Sequence, residues 1–522
     1  MKRLILILLI ASISACTTNA VTGKRTLQFY GSDWEQGIGA QMYSPMKQSQ
    51  GGEFILDPGL ENYIQGVGQR LADKARRKEE LDFQFSIINS SVPNAWALPG
   101  GKIAINRGLL TELQSEAELA AVLGHEVVHA DAAHSARAQS KGVLTQIGTV
   151  AGMIIVGTSV DNPVARDMGM MVPQIGAQLL NTKYGRDAER ESDEYGMLYM
   201  AEAGYDPVGA IELQETFVRL SEGRNQDWLT GLFASHPPSQ ERVDNNVKTA
   251  RRLAEEGYSD GDIGAARWRE ATAYLRRVQP AYEHYDKASE AASEEQWQDA
   301  QKHLRAAFRI EPRESLFHAL QGDIHARQDR QRRALGSYEE AVSANPNLFY
   351  GWMRRGQARY ELNDKRGARE DLERSLELLP TVQAQYILGK LDLEANKLVA
   401  AVEHFRVAAQ SDSELGVKAE GEILDMELPG RAASYVEIRP TVNNNGELWV
   451  QVGNRTRTPL TNIEYRYAWI DDSGRTRQGS GRIDGILEGG KAAQQQINGR
   501  INNPNDLGRR VQVEITSATA VD

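Results

Sequence analysis

Five consecutive residues, His125-Glu126-Val127-Val128-His129, place two imidazoles four positions apart with a carboxylate beside the first. On a helix, positions i and i+4 share a face, so both rings reach one ion. Glu126 then stands next to that ion, placed to take a proton from bound water. The preceding segment, Glu116 to Gly124 (EAELAAVLG), has helical composition. A third ligand is available in Arg186-Asp187-Ala188-Glu189-Arg190-Glu191-Ser192-Asp193, another predicted helix. Glu189 completes a His2Glu set and leaves one position open for water, as a catalytic zinc ion (Zn2+) requires. Asp193 lies one turn further on and shares that face, where it can accept a hydrogen bond from one imidazole and fix its tautomer. Glu191 points elsewhere by helical geometry. A charged, solvated face is the plainer reading of 186–193, and its pairing with the first motif argues against it. The chain holds one Cys, which excludes an internal disulfide and any Cys-cluster metal site.

These residues need elements to carry them. Phe83 to Ile88 (FQFSII) and Lys102 to Ile105 are strand candidates, with the turn signal Pro99-Gly100-Gly101 between them. Residues 111–140 and 186–203 read as helices. From about 284 to 413 the chain repeats: Pro312, Pro346 and Pro380 are 34 residues apart, as are Gly322 and Gly356. Ala300, Ala334 and Ala368 keep the period, each followed four residues later by Leu304, Tyr338 or Leu372. A fourth unit (Gly389, Ala401, Phe405) fits after deleting one residue. Small and large residues in fixed register, closed by Pro, mark the tetratricopeptide repeat. Residues 447–454, 462–470 and 510–516 then alternate as strands, which suggests a small β-sandwich.

At 522 residues the chain has room for about three domains. Its 71 acidic and 60 basic side chains, net charge −11, argue against a nucleic-acid partner. A basic start (Lys2, Arg3), an uncharged run from Leu4 to Ser14 and a small residue before Cys16 make a secretory signal peptide. Cys16 after Ala15 resembles the bacterial lipobox, in which the thiol takes a diacylglyceryl group; an ordinary signal peptide that happens to contain Cys16 is the alternative. Several acyl chains anchor a protein stably. In the lipoproteins this start resembles, Asp after the Cys favours inner-membrane retention, so Thr17 there implies the periplasmic face of the outer membrane. Gly142 to Val160 carries no charge over 19 residues and reads as a core or lid helix, with a partner-facing or membrane-grazing lid as the other reading.

Asn94-Ala95-Trp96-Ala97-Leu98-Pro99-Gly100-Gly101-Lys102-Ile103, Gly108-Leu109-Leu110, Glu118-Leu119-Ala120, the His125–His129 motif and Glu189-x-Glu191-Ser192-Asp193 occur in that order. Together they resemble the zinc metallopeptidase family that includes the CAAX prenyl endopeptidases. The repeats behind residues 30–250 make the architecture most similar to periplasmic members that carry tetratricopeptide repeats. The resemblance implies His125, His129 and Glu189 as zinc ligands and Glu126 as general base and acid. It also implies that the strand Lys102, Ile103, Ala104, Ile105 pairs with an extended substrate, by β-augmentation. Ser235-His236-Pro237-Pro238 and Glu241-Arg242 match a segment of the repeat-bearing members. There a loop His fills the open metal position as a gate, and an Arg assists at the transition-state oxyanion. On the residues alone, His236 also reads as a loop His capping the next helix. Two departures are Ala133, where many members have Arg, and Ser192, where Ala is common.

The expected fold is multidomain: a mainly α, gluzincin-like metallopeptidase domain with a small sheet, an α-helical tetratricopeptide solenoid and a C-terminal β-sandwich. The expected boundaries are signal peptide 1–15, lipidated linker 16–29, peptidase 30–250, helical linker 251–283, repeats 284–425 and β-sandwich 432–522. The expected function is a zinc endopeptidase anchored to the outer membrane through Cys16. It would degrade misassembled outer-membrane proteins and assist assembly, meeting the assembly machinery through its repeats. The rival reading is a non-catalytic adaptor or chaperone.

Overall fold

The structure is a computed structural model and describes residues 16–140, 184–223, 236–471, 473–501 and 503–521. The uncharged Gly142–Val160 segment lies outside the described residues. Among the described residues no helix is long and apolar enough to cross a membrane. The chain divides into two compact units, one reaching Asp364 and one holding the later repeats and the C-terminal strands.

In the first unit, β1 (Cys16–Thr18) pairs with β2 (Arg25–Leu27). Helices α1 (Ser32–Ser49) and α2 (Pro58–Ala72) precede a three-stranded sheet. Its strands are β3 (Gln84–Ile88), β4 (Ala95–Leu98) and β5 (Lys102–Asn106), in the order β3-β5-β4. β3 runs parallel to β5, whereas β4 forms an antiparallel hairpin with β5 through Pro99–Gly101. β5 is therefore the middle strand, and all five of its residues are buried. This corrects the expectation for Lys102, Ile103, Ala104 and Ile105. Both edges of that strand already carry a neighbour, so no extended peptide can add there. β4 is the edge strand on that side, and among the described residues it pairs only with β5.

Behind the sheet, α3 (Glu116–Asp131) is buried along its whole length, which is why it reads as apolar rather than amphipathic. Ser115 caps it by accepting from Glu118 N, and the Glu118 carboxylate accepts from Gln114 N. Burial, reinforced by Glu212, pushes the Glu118 carboxyl up to about 7. The unfolded chain releases this proton near 4.5, so the native state binds more protons between about 4.5 and 7. Stability from this group is complete below that window and falls as pH rises through it. Glu118→Gln is therefore expected to stabilise the protein by about 1–3 kcal/mol at pH 8 and hardly at all at pH 4.5. Thermal melts at both pH values check this; a gain that does not depend on pH contradicts it.

α4 (Arg186–Glu202) crosses α3 at two glycines. A Cβ on Gly196 would stand 3.0 Å from His125 N, and one on Gly124 would stand 3.1 Å from Gly196 O. A side chain at either position would press on the facing backbone, so the two glycines let the crossing bring the carboxylates of α4 against the histidines of α3. α5 (Val208–Gly223) and α6 (Gln240–Glu255) pack around the pair.

The repeat helices follow as α7 (Ala273–Ser293), α8 (Trp297–Ile310), α9 (Ser315–Ala326), α10 (Gln331–Ala344) and α11 (Phe349–Glu361). Pro312 and Pro346 each fall two residues past the end of a helix. Ala300 and Ala334 are fully buried, and a Cβ on Gly322 would meet the Tyr338 ring at 2.4 Å. The repeats are joined to the peptidase residues within this unit. Buried Arg107 lies 3.4 Å from the centroid of the Tyr282 ring, Asn89 donates to Glu314, and Gln48 bonds the main chain at Asn347 and Phe349.

In the second unit, α12 (Lys365–Leu378), α13 (Val382–Glu394) and α14 (Leu398–Ala408) continue the pattern. Gly389 faces the Phe405 ring, repeating the Gly322–Tyr338 pairing. α15 (Glu414–Tyr435) leads into β6 (Val436–Val442), β7 (Glu447–Asn454), β8 (Leu460–Ile470), β9 (Thr476–Ile483), β10 (Ala492–Arg500) and β11 (Val511–Ala520). They form two antiparallel three-stranded sheets, β10-β7-β6 and β11-β8-β9. One buried cluster, including Leu448, Val450, Ile463, Tyr465 and Ile515, draws on both sheets.

Candidate metal centre

The α3–α4 crossing and the loop before α6 bring His125, His129, Glu189 and His236 together. All four are buried, and one ligand atom from each lies within 4.8 Å of the others. His125 Nε2 is 3.0 Å from His129 Nε2 and 3.3 Å from His236 Nδ1. Glu189 oxygens lie 3.1 Å from His236 Nδ1, 3.4 Å from His129 Nε2 and 3.6 Å from His125 Nε2. Bonds of zinc length place tetrahedral donors about 3.3 Å apart. The observed spacings scatter around that value, so this donor set fits one small cation. Ring nitrogens facing each other at 3.0 Å without a shared proton or ion would repel.

Glu126 lies beside the cluster. Its Oε1 is 3.5 Å from His236 Nε2, and its Oε2 is buried with no hydrogen-bond partner among the described residues. Burial pushes this carboxyl up, against the pull of His236, His125 and Arg242. A buried carboxylate oxygen without a donor is a proton acceptor in waiting, the property a general base needs.

Asp193 orients His125, accepting from Nδ1 at 2.9 Å. Arg242 grips Asp193 with two bonds of 2.7 Å and reaches Glu189 at 3.3 Å. Burial disfavours the Asp193 charge, but the Arg242 cation outweighs it and holds the carboxyl below its usual range. Burial acts on Glu189 in the same sense, and His236, His125, His129 and Arg242 overcome it. Arg242 thus spends its guanidinium on two carboxylates and on Pro237 O at 3.4 Å. Cys16 opens β1, away in sequence from all of these. Lys102 donates to Asp82, outside the cluster.

Glu191 leaves the cluster, as helical geometry requires, and accepts from His134 Nε2 at 3.1 Å and Arg137 at 3.0 Å. These partners hold it down to about 2. The sequence reading gave His134 and Tyr184 no role. The Tyr184 ring stacks on His129 with centroids 4.0 Å apart, and its hydroxyl bonds Ser135. Ser192, one of the two departures, places its hydroxyl 3.4 Å from His134 Nδ1. A cavity lined by Ala95 of β4 and by Val122, Met197, Leu213 and Phe217 opens beside His125 and Glu126.

Residues 58–250 match peptidase family M48. The chain carries an M48 metallopeptidase domain. Residues 285–348 and 353–414 match the tetratricopeptide repeat. The β-barrel assembly-enhancing protease of Escherichia coli is 24% identical over 404 residues, covering 70% of this chain and 79% of that one. A Vibrio cholerae relative is 31% identical over 203 residues, 38% of this chain and 40% of its own length. The mitochondrial metalloendopeptidase OMA1 of Arabidopsis thaliana is 32% identical over 164 residues, 31% of each chain. The match thus spans less than half of the Vibrio and Arabidopsis proteins, but most of the Escherichia coli one. M48 peptidases are metal-dependent, and tetratricopeptide repeats stack into surfaces suited to protein–protein contact.

Proposed function

We propose that this chain is a zinc endopeptidase of the periplasm, anchored to the outer membrane through a lipidated Cys16, that degrades misassembled outer-membrane proteins. The four buried donors converging beside a Glu126 oxygen that is unpaired among the described residues carry the catalytic part of this reading. His125, His129 and Glu189 would hold the zinc ion, which supplies Lewis-acid polarisation of the scissile carbonyl and lowers the pKa of its water. Glu126 takes the water's proton and passes it to the leaving amine. Asp193 fixes the tautomer of His125. Arg242, locked on Asp193 and Glu189, positions those carboxylates; a direct role at the oxyanion would require it to give up one of these bonds. The outer edge of β4, which has no strand partner among the described residues and whose Ala95 lines the cavity, supports substrate entry as an added strand there.

His236 is the fourth donor of the cluster, and as a ligand it would take the position that the nucleophilic water needs. In this reading it is a gate, and the loop must move before cleavage. The similarity to the Escherichia coli β-barrel assembly-enhancing protease supports envelope β-barrel proteins as substrates, and the repeats support contact with their assembly machinery. The two C-terminal sheets on one core support a sandwich over 432–522, and the other expected boundaries remain part of this proposal.

The test is incubation of wild type and His236→Ala with an unfolded outer-membrane β-barrel protein. Fragments are expected from both, appearing several-fold faster with His236→Ala. Intact substrate with both proteins would sink the peptidase reading in favour of an adaptor.

A further inference from the structure

His125 and His129 share one task but are held differently. His125 Nδ1 meets a carboxylate directly, Asp193 at 2.9 Å. His129 Nδ1 meets another imidazole, the Nδ1 of His134, at 2.9 Å. Two ring nitrogens at that distance bond only when one of them carries the proton. The far side of His134 decides which. Its Nε2 faces Glu191 Oε2 at 3.1 Å, and Arg137 at 3.0 Å keeps that carboxylate ionised, hence an acceptor only. His134 Nε2 must therefore carry hydrogen. The Nδ1 of neutral His134 is then a lone pair, so His129 Nδ1 must donate to it. That leaves His129 Nε2 bare and aimed at Glu189 and His125. The opposite tautomer of His134 would set a lone pair against the Glu191 carboxylate and leave a proton on His129 Nε2.

We propose that Glu191 and His134 form a relay that fixes the tautomer and ring orientation of His129, making both of them positioning residues for the metal. A metal-ligating imidazole ordinarily donates its second nitrogen to an outer partner, and loss of that partner costs affinity. Here the carboxylate acts from one imidazole further out. The fold builds the relay deliberately. Positions i and i+5 lie about 140° apart around a straight helix, so His134 would not meet His129 there. α3 ends instead at Asp131, Ala132 is its C-cap, and Ala133 takes φ = 52°, which turns His134 back beneath His129. His134 and His129 are buried, and the Tyr184 ring covers the open face of His129.

This inference rests on His129 being a metal ligand, so the test reads both. Zinc affinity is measured on the full chain by competition with a chromophoric chelator. The set is wild type, Glu189→Ala, His134→Leu, His134→Asn, Glu191→Leu and the double Leu variant. His134→Leu and Glu191→Leu are each expected to weaken zinc binding about 10–100-fold. The double variant should be no weaker than either, because a relay fails as a unit. His134→Asn should recover most of the loss, since its carbonyl oxygen can replace the His134 Nδ1 lone pair. The visible spectrum of the cobalt(II)-loaded proteins reports the ligand field independently of activity and should shift in the Leu variants and return in His134→Asn. Wild-type affinity in both single Leu variants, or additive losses in the double, overturns the relay. Wild type that binds no zinc, or Glu189→Ala that binds it undiminished, overturns the ligand reading and the relay with it.

Discussion

Glu126→Gln is expected to lower peptide cleavage by about 10³-fold or more while the protein keeps one metal ion per chain. Gln has the shape of Glu and none of its basicity, so the proton of the attacking water has nowhere to go. The structure adds a second expectation about the same variant. Among the described residues Glu126 Oε2 is buried without a donor, and burial pushes its carboxyl up. A neutral amide relieves that cost, so Glu126→Gln should melt at the same temperature as wild type or higher. Loss of activity with gain of stability is the signature of a residue kept for function at the expense of the fold. Cleavage assays, metal analysis and thermal melts on one preparation check all three; cleavage that persists in the variant removes Glu126 from the chemistry.

Glu189→Ala is expected to abolish cleavage as well, with the opposite effect on the protein. Its carboxylate faces His125, His129, His236 and Arg242 at 3.1–3.6 Å. Removing it deletes one ligand and leaves a buried guanidinium and three imidazoles short of their shared acceptor. Breaking a buried ionic partnership of this kind costs about 3–5 kcal/mol. Metal should fall below one ion per chain at concentrations that saturate wild type, and the melting temperature should drop. Full metal occupancy in Glu189→Ala would show that the third ligand lies elsewhere. The two variants therefore separate the base from the ligand: both are inactive, but only one loses the metal.

Much of this site was legible because helical period does the geometry. His125 and His129 at i and i+4, and Glu189 and Asp193 at i and i+4, each define one face, and the structure brings those faces together. The same period correctly sent Glu191 away. The relay was hidden because it depends on one backbone dihedral at Ala133, which no periodicity reports. The substrate strand was misplaced for a related reason. The resemblance alone pointed to Lys102–Ile105, and Ala95–Leu98 was not read as a strand; its pairing with β5, which no periodicity reports, makes it the edge. Among the repeats, small–large register was enough, as Gly322 against Tyr338 and Gly389 against Phe405 show. In the C-terminal sheets, β7 and β8 alternate and were readable. β9 (TRQGSGRI) and β10 (AAQQQINGR) are polar and mostly exposed, so pairing with β8 and β7 makes them strands rather than any pattern of their own.

Zinc-edge anomalous diffraction from crystals of the metal-loaded full chain tests the metal centre most directly. One peak is predicted about 2.0–2.2 Å from His125 Nε2, His129 Nε2 and a Glu189 oxygen. No peak among those donors would contradict it. So would a peak at His284 and His303, which face each other at 3.1 Å, with the four donors around His125 left empty.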